Sequence, residues 1–110
     1  MKLYKKSLTD REIGLILDKY GTYFKVTGDI ENGTLVIGCK LHADALPLLK
    51  KHGGIEKNIW GGWINLDEKM VETNGVLNIR DDNPSMEILD NTIREKFIVL
   101  VKNYFKNVFI

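Results

Sequence analysis

The chain of 110 residues is 44% hydrophobic and 28% charged, a composition typical of a globular protein and unlike that of a disordered one. This length suits one domain, residues 1–110, with a single sheet-and-helix core. The 16 basic and 15 acidic residues leave a formal charge of +1, which excludes general electrostatic steering toward nucleic acid or an anionic membrane.

The first predicted element is a helix over residues 10 to 20. Thr9-Asp10-Arg11-Glu12 has the form of a capping box, in which the Thr hydroxyl and the Glu carboxylate satisfy free amide groups at a helix start. Apolar residues then recur at helical spacing, and Gly21 suits the left-handed position that commonly follows a helix end. The apolar face consists of Ile13, Ile16, Leu17 and Tyr20.

A β-hairpin is predicted next, with strands over residues 23 to 30 and 34 to 39. Both segments are rich in aromatic and β-branched residues, and Asn32-Gly33 between them is expected to provide the positive backbone angles of a tight turn. Residues 43 to 52 form a short predicted helix, because their apolar residues share one face and Gly53-Gly54 ends the pattern.

The second half is predicted to contain two or three strands and a long helix. Residues 59 to 66 and 76 to 80 have strand patterns, and the polar connection at 67 to 75 leaves room for another short strand. From Asp90, a good helix cap, an apolar stripe at helical spacing continues to Phe109. The stripe comprises Ile93, Phe97, Ile98, Leu100, Val101, Tyr104, Phe105, Val108 and Phe109.

This stripe covers an arc of roughly 160°, which is wider than contact with one core requires. Two arrangements account for the excess. Either the helix lies deep in a groove between the sheet and other helices, or one flank packs against a second copy of the chain. The residues proposed for such a homodimer are Ile98, Phe105 and Phe109.

The predicted order, α-β-β-α-β-β-α, has short connections between consecutive strands, which favours antiparallel pairing. The sequence therefore predicts an α+β fold in which an antiparallel sheet of four or five strands packs against three helices. The single Cys39 has no partner for an internal disulfide, and no apolar run approaches the roughly 18 residues of a membrane span. We therefore expect a cytoplasmic protein.

Cys39, His42 and Asp44 place a thiol, an imidazole and a carboxylate close together in the sequence, which raises nucleophilic catalysis and metal binding. Strand neighbours alternate between faces, and Cys-His-Asp sets normally assemble from distant segments, so the spacing argues against a nucleophile. A structural zinc site needs four ligands, which one cysteine and two histidines do not supply. We predict no catalytic residue, metal or cofactor, and expect Asp44 or His42 to cap the second helix.

Paired glycines between two tryptophans form a second candidate, Trp60-Gly61-Gly62-Trp63. Glycines inside a strand pattern indicate a bulge or a close backbone approach. The tryptophans either wall a pocket for a flat or apolar ligand or fill the core, and core packing is the preferred interpretation.

A third candidate is the polar stretch over residues 78 to 85, which precedes the last helix. Arg94 lies one turn into that helix and inside its apolar arc, so its guanidinium is expected to meet a partner. In the preferred interpretation, Arg80 and Arg94 form bidentate pairs with loop carboxylates. In the other, the two arginines and amide groups at a helix start converge on an anion such as a phosphate or carboxylate.

Several short motifs lie between residues 41 and 94: Leu41-His42-Ala43-Asp44, Trp60-Gly61, Asn78-Ile79-Arg80, Ser85-Met86-Glu87-Ile88, and Asp90 with Ile93-Arg94. Together they resemble a family of small prokaryotic proteins of unknown function. The resemblance implies a shared pattern and no particular activity. In this sequence the shared pattern comprises His42, Asp44, Trp60, Asn65, Asn78, Arg80, Ser85, Asp90 and Arg94.

We predict a small binding or protein-interaction module without catalytic activity, because no nucleophile-base pair, metal set or phosphate loop is recognisable. The alternative is a small enzyme or ligand-binding protein for an anionic metabolite, with His42, Arg80 and Arg94 converging on one pocket. The candidate ligand-binding residues are His42, Asp44, Trp60, Asn78, Arg80, Ser85, Asp90 and Arg94. Nucleic-acid binding through Lys2, Lys5, Lys6 and Arg11 is disfavoured, because such a cluster is typical of a solvated face.

Overall fold

One antiparallel sheet forms the centre of the molecule, and the computed structural model describes residues 1–109. Its five strands lie in the order β1-β3-β2-β4-β5. The strands are β1 (Lys2–Tyr4), β2 (Tyr23–Asp29), β3 (Thr34–Ile37), β4 (Ile59–Asn65) and β5 (Met70–Glu72), and the helices are α1 (Asp10–Tyr20), α2 (Leu46–Lys51) and α3 (Asn91–Tyr104). This arrangement confirms the predicted α+β class.

Both longer helices begin where their capping residues predict. Glu12 N donates to Thr9 Oγ1 at 3.1 Å and Thr9 N donates to Glu12 Oε1 at 3.0 Å, which completes the capping box of α1. At the start of α3, Ile93 N donates to Asp90 Oδ1 at 3.0 Å. α1 therefore has the predicted bounds, whereas α3 ends at Tyr104, before the end of the predicted stripe.

The hairpin of β2 and β3 is confirmed, with Asp29 opposite Thr34. Gly33 takes a positive φ of 72°, and Asp29 Oδ1 accepts hydrogen bonds from the N–H groups of Glu31 and Asn32 at 3.0 and 2.9 Å. Asn32 does not adopt a positive φ, so the expectation for that residue is wrong. The Asp29 carboxylate supplies the remaining constraint on the turn.

Two strand assignments differ from the sequence prediction. Residues 76 to 80 do not form a strand, because Val76–Asn78 is a 3₁₀ turn. β1 is absent from the predicted order, since three residues carry no periodic pattern, and it pairs with β3 so that Leu3 lies opposite Val36. The short strand expected in the polar connection is present as β5.

The predicted second helix is a 3₁₀ turn, His42–Ala45, followed by α2. Within the described residues no side chain caps the start of α2, so the expectation that Asp44 or His42 does so is wrong. Asp44 Oδ2 instead accepts the N–H of Leu41 at 3.1 Å, which fixes the start of the 3₁₀ turn. The imidazole of His42 is thereby left free to point at the sheet.

Two apolar clusters cover the two faces of the sheet. α1 and α3 cover one face, where Phe24, Val26 and Ile64 of the sheet are buried. α2 covers part of the other face, where Val36, Leu49 and Ile59 are buried. None of the helices formed by residues 1–109 has both the length and the apolar character needed to cross a membrane.

The wide apolar stripe of α3 is largely explained by deep burial. Phe97, Val101 and Phe105 are each 0% exposed. The helix lies so close to the sheet that a Cβ on Gly28 would stand 2.7 Å from Leu100 Cδ2. Phe105 is therefore a core residue, and the expectation that it faces a second copy is wrong for this side chain.

Candidate functional site

The edge of β4 is completed by side chains where β5 ends. β5 pairs with β4 only at Trp63–Asn65, so the preceding half of β4 lacks a strand on that side. Gly61 N donates to Asn78 Oδ1 at 2.8 Å, and Asn78 Nδ2 donates to Gly61 O at 2.9 Å. The amide of Asn78 thus makes the two hydrogen bonds that a neighbouring strand would make.

Arg80, two residues after Asn78, also donates a hydrogen bond to the open edge of β4. Its Nη2 donates to Ile59 O at 2.8 Å, and its guanidinium carbon lies 3.8 Å from the centre of the Trp60 ring. Burial lowers the pKa of Arg80, and the nearby carboxylates of Asp82 and Glu56 act in the opposite direction. Within residues 1–109 Arg80 has no ion pair, so the predicted pairing with a loop carboxylate is wrong for Arg80.

Asn83 is a second buried amide that organises the loop before α3. Its Nδ2 donates to Asn78 O, Ser85 O and Glu87 O at 3.0, 3.1 and 2.9 Å, and its Oδ1 accepts from Leu89 N at 3.0 Å. Asn83 lies within the polar stretch predicted as a candidate but is not singled out there, because an asparagine between an aspartate and a proline is typical of a solvated turn. Buried side-chain amides in these positions provide the hydrogen-bond partners of the loop backbone that regular secondary structure would otherwise provide.

Arg94 forms no ion pair with a carboxylate within residues 1–109. Its Nη2 donates to Asn91 Oδ1 on the same turn of α3 at 2.9 Å. Its Nε is buried and has no hydrogen-bond partner among residues 1–109. The predicted pairing with loop carboxylates is therefore wrong for both arginines, because Arg80 donates to backbone carbonyls and Arg94 donates to a neighbouring side-chain amide. Their joint binding of an anion stays a prediction.

His42 lies in a slot between two glycines. The residue is 5% exposed, and its Nε2 donates to Gly62 O at 2.8 Å. A Cβ on Gly61 would stand 2.7 Å from the imidazole, and a Cβ on Gly75 would stand 2.8 Å from it on another side. Gly61 is thus the close approach predicted from the paired glycines, and Gly75 completes the slot.

The chemistry of His42 follows from this slot. Burial lowers the pKa of the imidazole below its ordinary value of 6.5, the hydrogen bond to Gly62 acts in the opposite direction, and the positive charge of Lys25 lowers it again. The ring is therefore neutral at pH 7. Because Nε2 carries the proton donated to Gly62 O, Nδ1 presents a lone pair, and it has no partner among residues 1–109.

An aromatic row stands on the sheet beside His42. The Lys25 ammonium lies 4.3 Å from the centre of the Trp63 ring, Tyr23 stacks on Trp63 at 4.8 Å, and His42 meets Trp63 edge-on at 6.2 Å. Successive strand residues point to opposite faces, so Trp60 packs in the core under α3 while Trp63 belongs to this row. Of the two predicted roles, core packing therefore applies to Trp60, and lining a pocket applies to Trp63.

A cleft of about 500 Å³ opens above His42, between the aromatic row and the loop that carries Asn78. We call it the His42 cleft. Four aliphatic residues at its rim are strongly exposed: Leu41 at 63%, Val76 at 70%, Ile79 at 52% and Met86 at 47%. The remaining lining residues are Lys25, His42, Ala43, Glu56, Trp63, Gly75 and Leu77. Its volume lies within the range of small-molecule sites.

Of the eight candidate ligand-binding residues, His42 is the one that lines this cleft. Asn78 holds its wall, and Trp60 and Arg80 pack together at the β4 edge. Asp44 and Asp90 fix helical turns, and Ser85 Oγ accepts from Glu87 N at 3.1 Å within the loop. Asn65, the further member of the shared pattern, accepts from Glu68 N at 3.0 Å in the β4–β5 turn.

The thiol near His42 in sequence has its side-chain contact on β2. Cys39 is buried, and its Sγ lies 3.6 Å from the Thr27 hydroxyl. Across residues 1–109, the structure contains no group of three His, Cys, Asp or Glu side chains arranged to hold a metal ion.

The fold and cleft define a small α+β protein with a ligand-sized cavity on one sheet face, an architecture that is not tied to one chemistry. A family model described as "Protein of unknown function (DUF5674)" matches residues 2–104, so the chain belongs to this family. The match confirms the resemblance to a family of unknown function. Searches of curated proteins and of solved structures give no significant match.

Proposed function

We propose that the protein is a binding module without catalytic activity that receives an apolar ligand in the His42 cleft. One observation carries the proposal: four exposed aliphatic side chains surround a single concavity, namely Leu41, Val76, Ile79 and Met86. Clustered apolar exposure of this kind marks a binding surface, whereas scattered exposure does not. A concave site of this volume suits a small molecule better than a flat protein partner.

The lining residues favour binding over catalysis. The His42 Nε2 proton is already donated to a backbone carbonyl, and the lining contains no Ser, Thr or Cys nucleophile. Its carboxylate, Glu56, pairs with Lys50 at 3.5 Å. We place the protein in a prokaryotic cytoplasm, an assignment supported by the buried free Cys39 and the family resemblance.

Chemical-shift mapping with octanol, a neutral apolar probe, tests the site. The largest amide shifts are expected in residues 41 to 43 and 75 to 79, because these segments form the rim. Leu41→Ser should weaken octanol binding by about threefold to tenfold, since it removes one apolar contact from the rim.

Leu15→Ser is the matched control, because Leu15 is 59% exposed on α1, against 63% for Leu41. This change should leave octanol binding unaltered. Shifts spread evenly over the surface, or equal losses in both variants, would contradict the proposed site.

Self-association through α3 stays a prediction, and its surface is smaller than expected. Ile98 and Phe109 are half-buried, whereas Phe105 is 0% exposed. One observation favours contact with a second copy: Val99 is 52% exposed in a shallow groove beside Ile30. Light scattering at rising concentration tests this candidate, and a constant monomer mass would end it.

A further inference from the structure

Lys25 is a cation of the His42 cleft that has no acidic partner among residues 1–109. It stands on β2 opposite Trp63, with its ammonium 4.3 Å from the centre of that ring. Ion pairs within residues 1–109 join Lys50 to Glu56 and Lys96 to Glu31, and neither involves Lys25. The nearby Glu72 accepts the Tyr23 hydroxyl at 2.6 Å. The two charged residues of the cleft lining therefore differ, because Glu56 is paired with Lys50 whereas Lys25 contacts an aromatic ring and forms no ion pair within residues 1–109.

We infer that the ligand of the His42 cleft is a small amphipathic carboxylic acid, whose carboxylate meets Lys25 and whose apolar body packs against the aliphatic rim. This inference rests on the proposed function and adds the charge of the ligand to it. An apolar body alone would cover Lys25 and remove water from its ammonium without supplying a partner, which is costly. A carboxylate compensates that loss with a charge-assisted hydrogen bond.

Other ligand charges fit the cleft less well. Phosphate recognition uses bidentate arginines or several backbone N–H groups, and the lining contains no arginine and a single lysine. A cationic ligand would meet the like charge of Lys25, and the carboxylate of the lining, Glu56, is already paired with Lys50. Trp63 is already covered by Tyr23 and by the Lys25 ammonium, so its ring is not available as a cage for a quaternary amine.

Three probes with the same eight-carbon chain separate charge from apolar contact: octanoate, octanol and octylammonium. Isothermal titration at low salt should give octanoate the lowest Kd, about tenfold below that of octanol, with octylammonium the weakest. Raising the salt concentration should weaken octanoate binding and leave octanol binding almost unchanged, because only the former includes an ion pair.

Variants of Lys25 locate the source of this preference. Lys25→Gln should bring octanoate to the affinity of octanol, whereas Lys25→Arg should retain the preference because it keeps the charge. Lys102→Gln is the matched control, since Lys102 also lies over an aromatic ring, at 5.6 Å from the centre of Phe109 on α3. It should leave all three affinities unchanged.

The outcomes distinguish the inference from the proposed function. The carboxylate inference is overturned, and the binding site stands, if octanol and octanoate bind the wild-type cleft equally well. The same holds if the affinity for octanoate changes neither with salt concentration nor with Lys25→Gln. If none of the three probes shifts the amide resonances of residues 41 to 43 and 75 to 79, the proposed function itself is overturned. Should Lys25→Gln not fold, the wild-type salt dependence and Lys25→Arg still decide.

Discussion

Gly61 and Gly62 are adjacent in β4, yet they admit two different rings on the two faces of the sheet. A Cβ on Gly62 would stand 2.6 Å from the Phe97 ring of α3, and a Cβ on Gly61 would stand 2.7 Å from His42. On the first face the ring is apolar and completely enclosed. On the second it is polar, hydrogen-bonded and placed beneath an open cleft. A glycine that leaves room for a ring is therefore part of a sealed core on one face and of a candidate site on the other.

The two faces also differ in what covers them. The first is closed by two helices of 11 and 14 residues, whereas the second is closed by the six-residue α2, a 3₁₀ turn and an irregular loop. Long amphipathic helices bury a continuous apolar surface. Short segments leave gaps between them, and one of these gaps is the His42 cleft. The comparison predicts that changes on the first face affect stability and changes on the second affect binding.

The largest expected effect is on the sealed face. Phe97→Ala should lower the free energy of unfolding by about 3–5 kcal/mol, because it leaves a cavity in a fully buried cluster. Urea denaturation measures the loss. Leu41→Ser on the cleft face should change it by less than about 0.5 kcal/mol, since an exposed side chain contributes little. Similar losses in the two variants would erase the contrast between the faces.

Asn78→Ala should produce the next largest effect, at the boundary between the faces. Removing the amide leaves the N–H and C=O of Gly61 without their partners, so the free energy of unfolding should fall by about 2–4 kcal/mol. The loop that walls the cleft should lose its protection from hydrogen exchange, while amides in α3 keep theirs. Asn107→Ala, at an exposed position, serves as the control. A loss below about 1 kcal/mol would show that solvent replaces the amide.

Elements defined by local chemistry could be predicted from the sequence. The capping box at Thr9, the cap at Asp90 and the Gly33 turn act within a few residues, so their signals lie next to the structures that they specify. The strand pattern at residues 76 to 80 was misleading for a physical reason. Asn78 and Arg80 do reach the β4 edge with the alternation of a strand, but their side chains form the hydrogen bonds instead of the backbone.

The candidate site could be predicted only in part, because most of its geometry depends on strand register. His42 stood out by its residue type, but its position against Gly62 depends on a 3₁₀ turn that the sequence pattern did not indicate. Lys25 and Trp63 are cross-strand neighbours, and nothing in either strand alone fixes that pairing. Asn83 could be placed in the polar stretch but not recognised as buried, because its partners are backbone groups, which leave no sequence signal.

A glycine substitution at the slot of His42 should affect both stability and binding. Gly75→Ala should lower the free energy of unfolding by about 1–3 kcal/mol, because the new Cβ would stand 2.8 Å from the imidazole and displace it. The change should also weaken octanol binding, since the ring forms part of the cleft. Gly14→Ala is the matched control in α1, where nothing lies within 4 Å of the new Cβ. This control should stabilise the protein by up to about 1 kcal/mol.

The smallest effect is the pH dependence that arises from His42. Its pKa is lowered in the folded protein, so below pH 6.5 the unfolded chain binds a proton that the folded one does not. Above this pH, the titration of His42 should therefore add no pH dependence to the free energy of unfolding. Below it, stability should fall by up to about 1.4 kcal/mol per pH unit, until the folded-state pKa is reached.

Urea denaturation between pH 7.5 and pH 5 compares His42→Gln with His52→Gln to isolate this effect. A glutamine side chain does not titrate, so the first variant should lose the fall in stability that the wild type shows below pH 6.5. His52 is exposed just after α2, and its replacement should leave that fall in place. If the two variants have the same pH profile, the imidazole is not held neutral by its slot, and the second face loses the feature that distinguishes it from the core under α3.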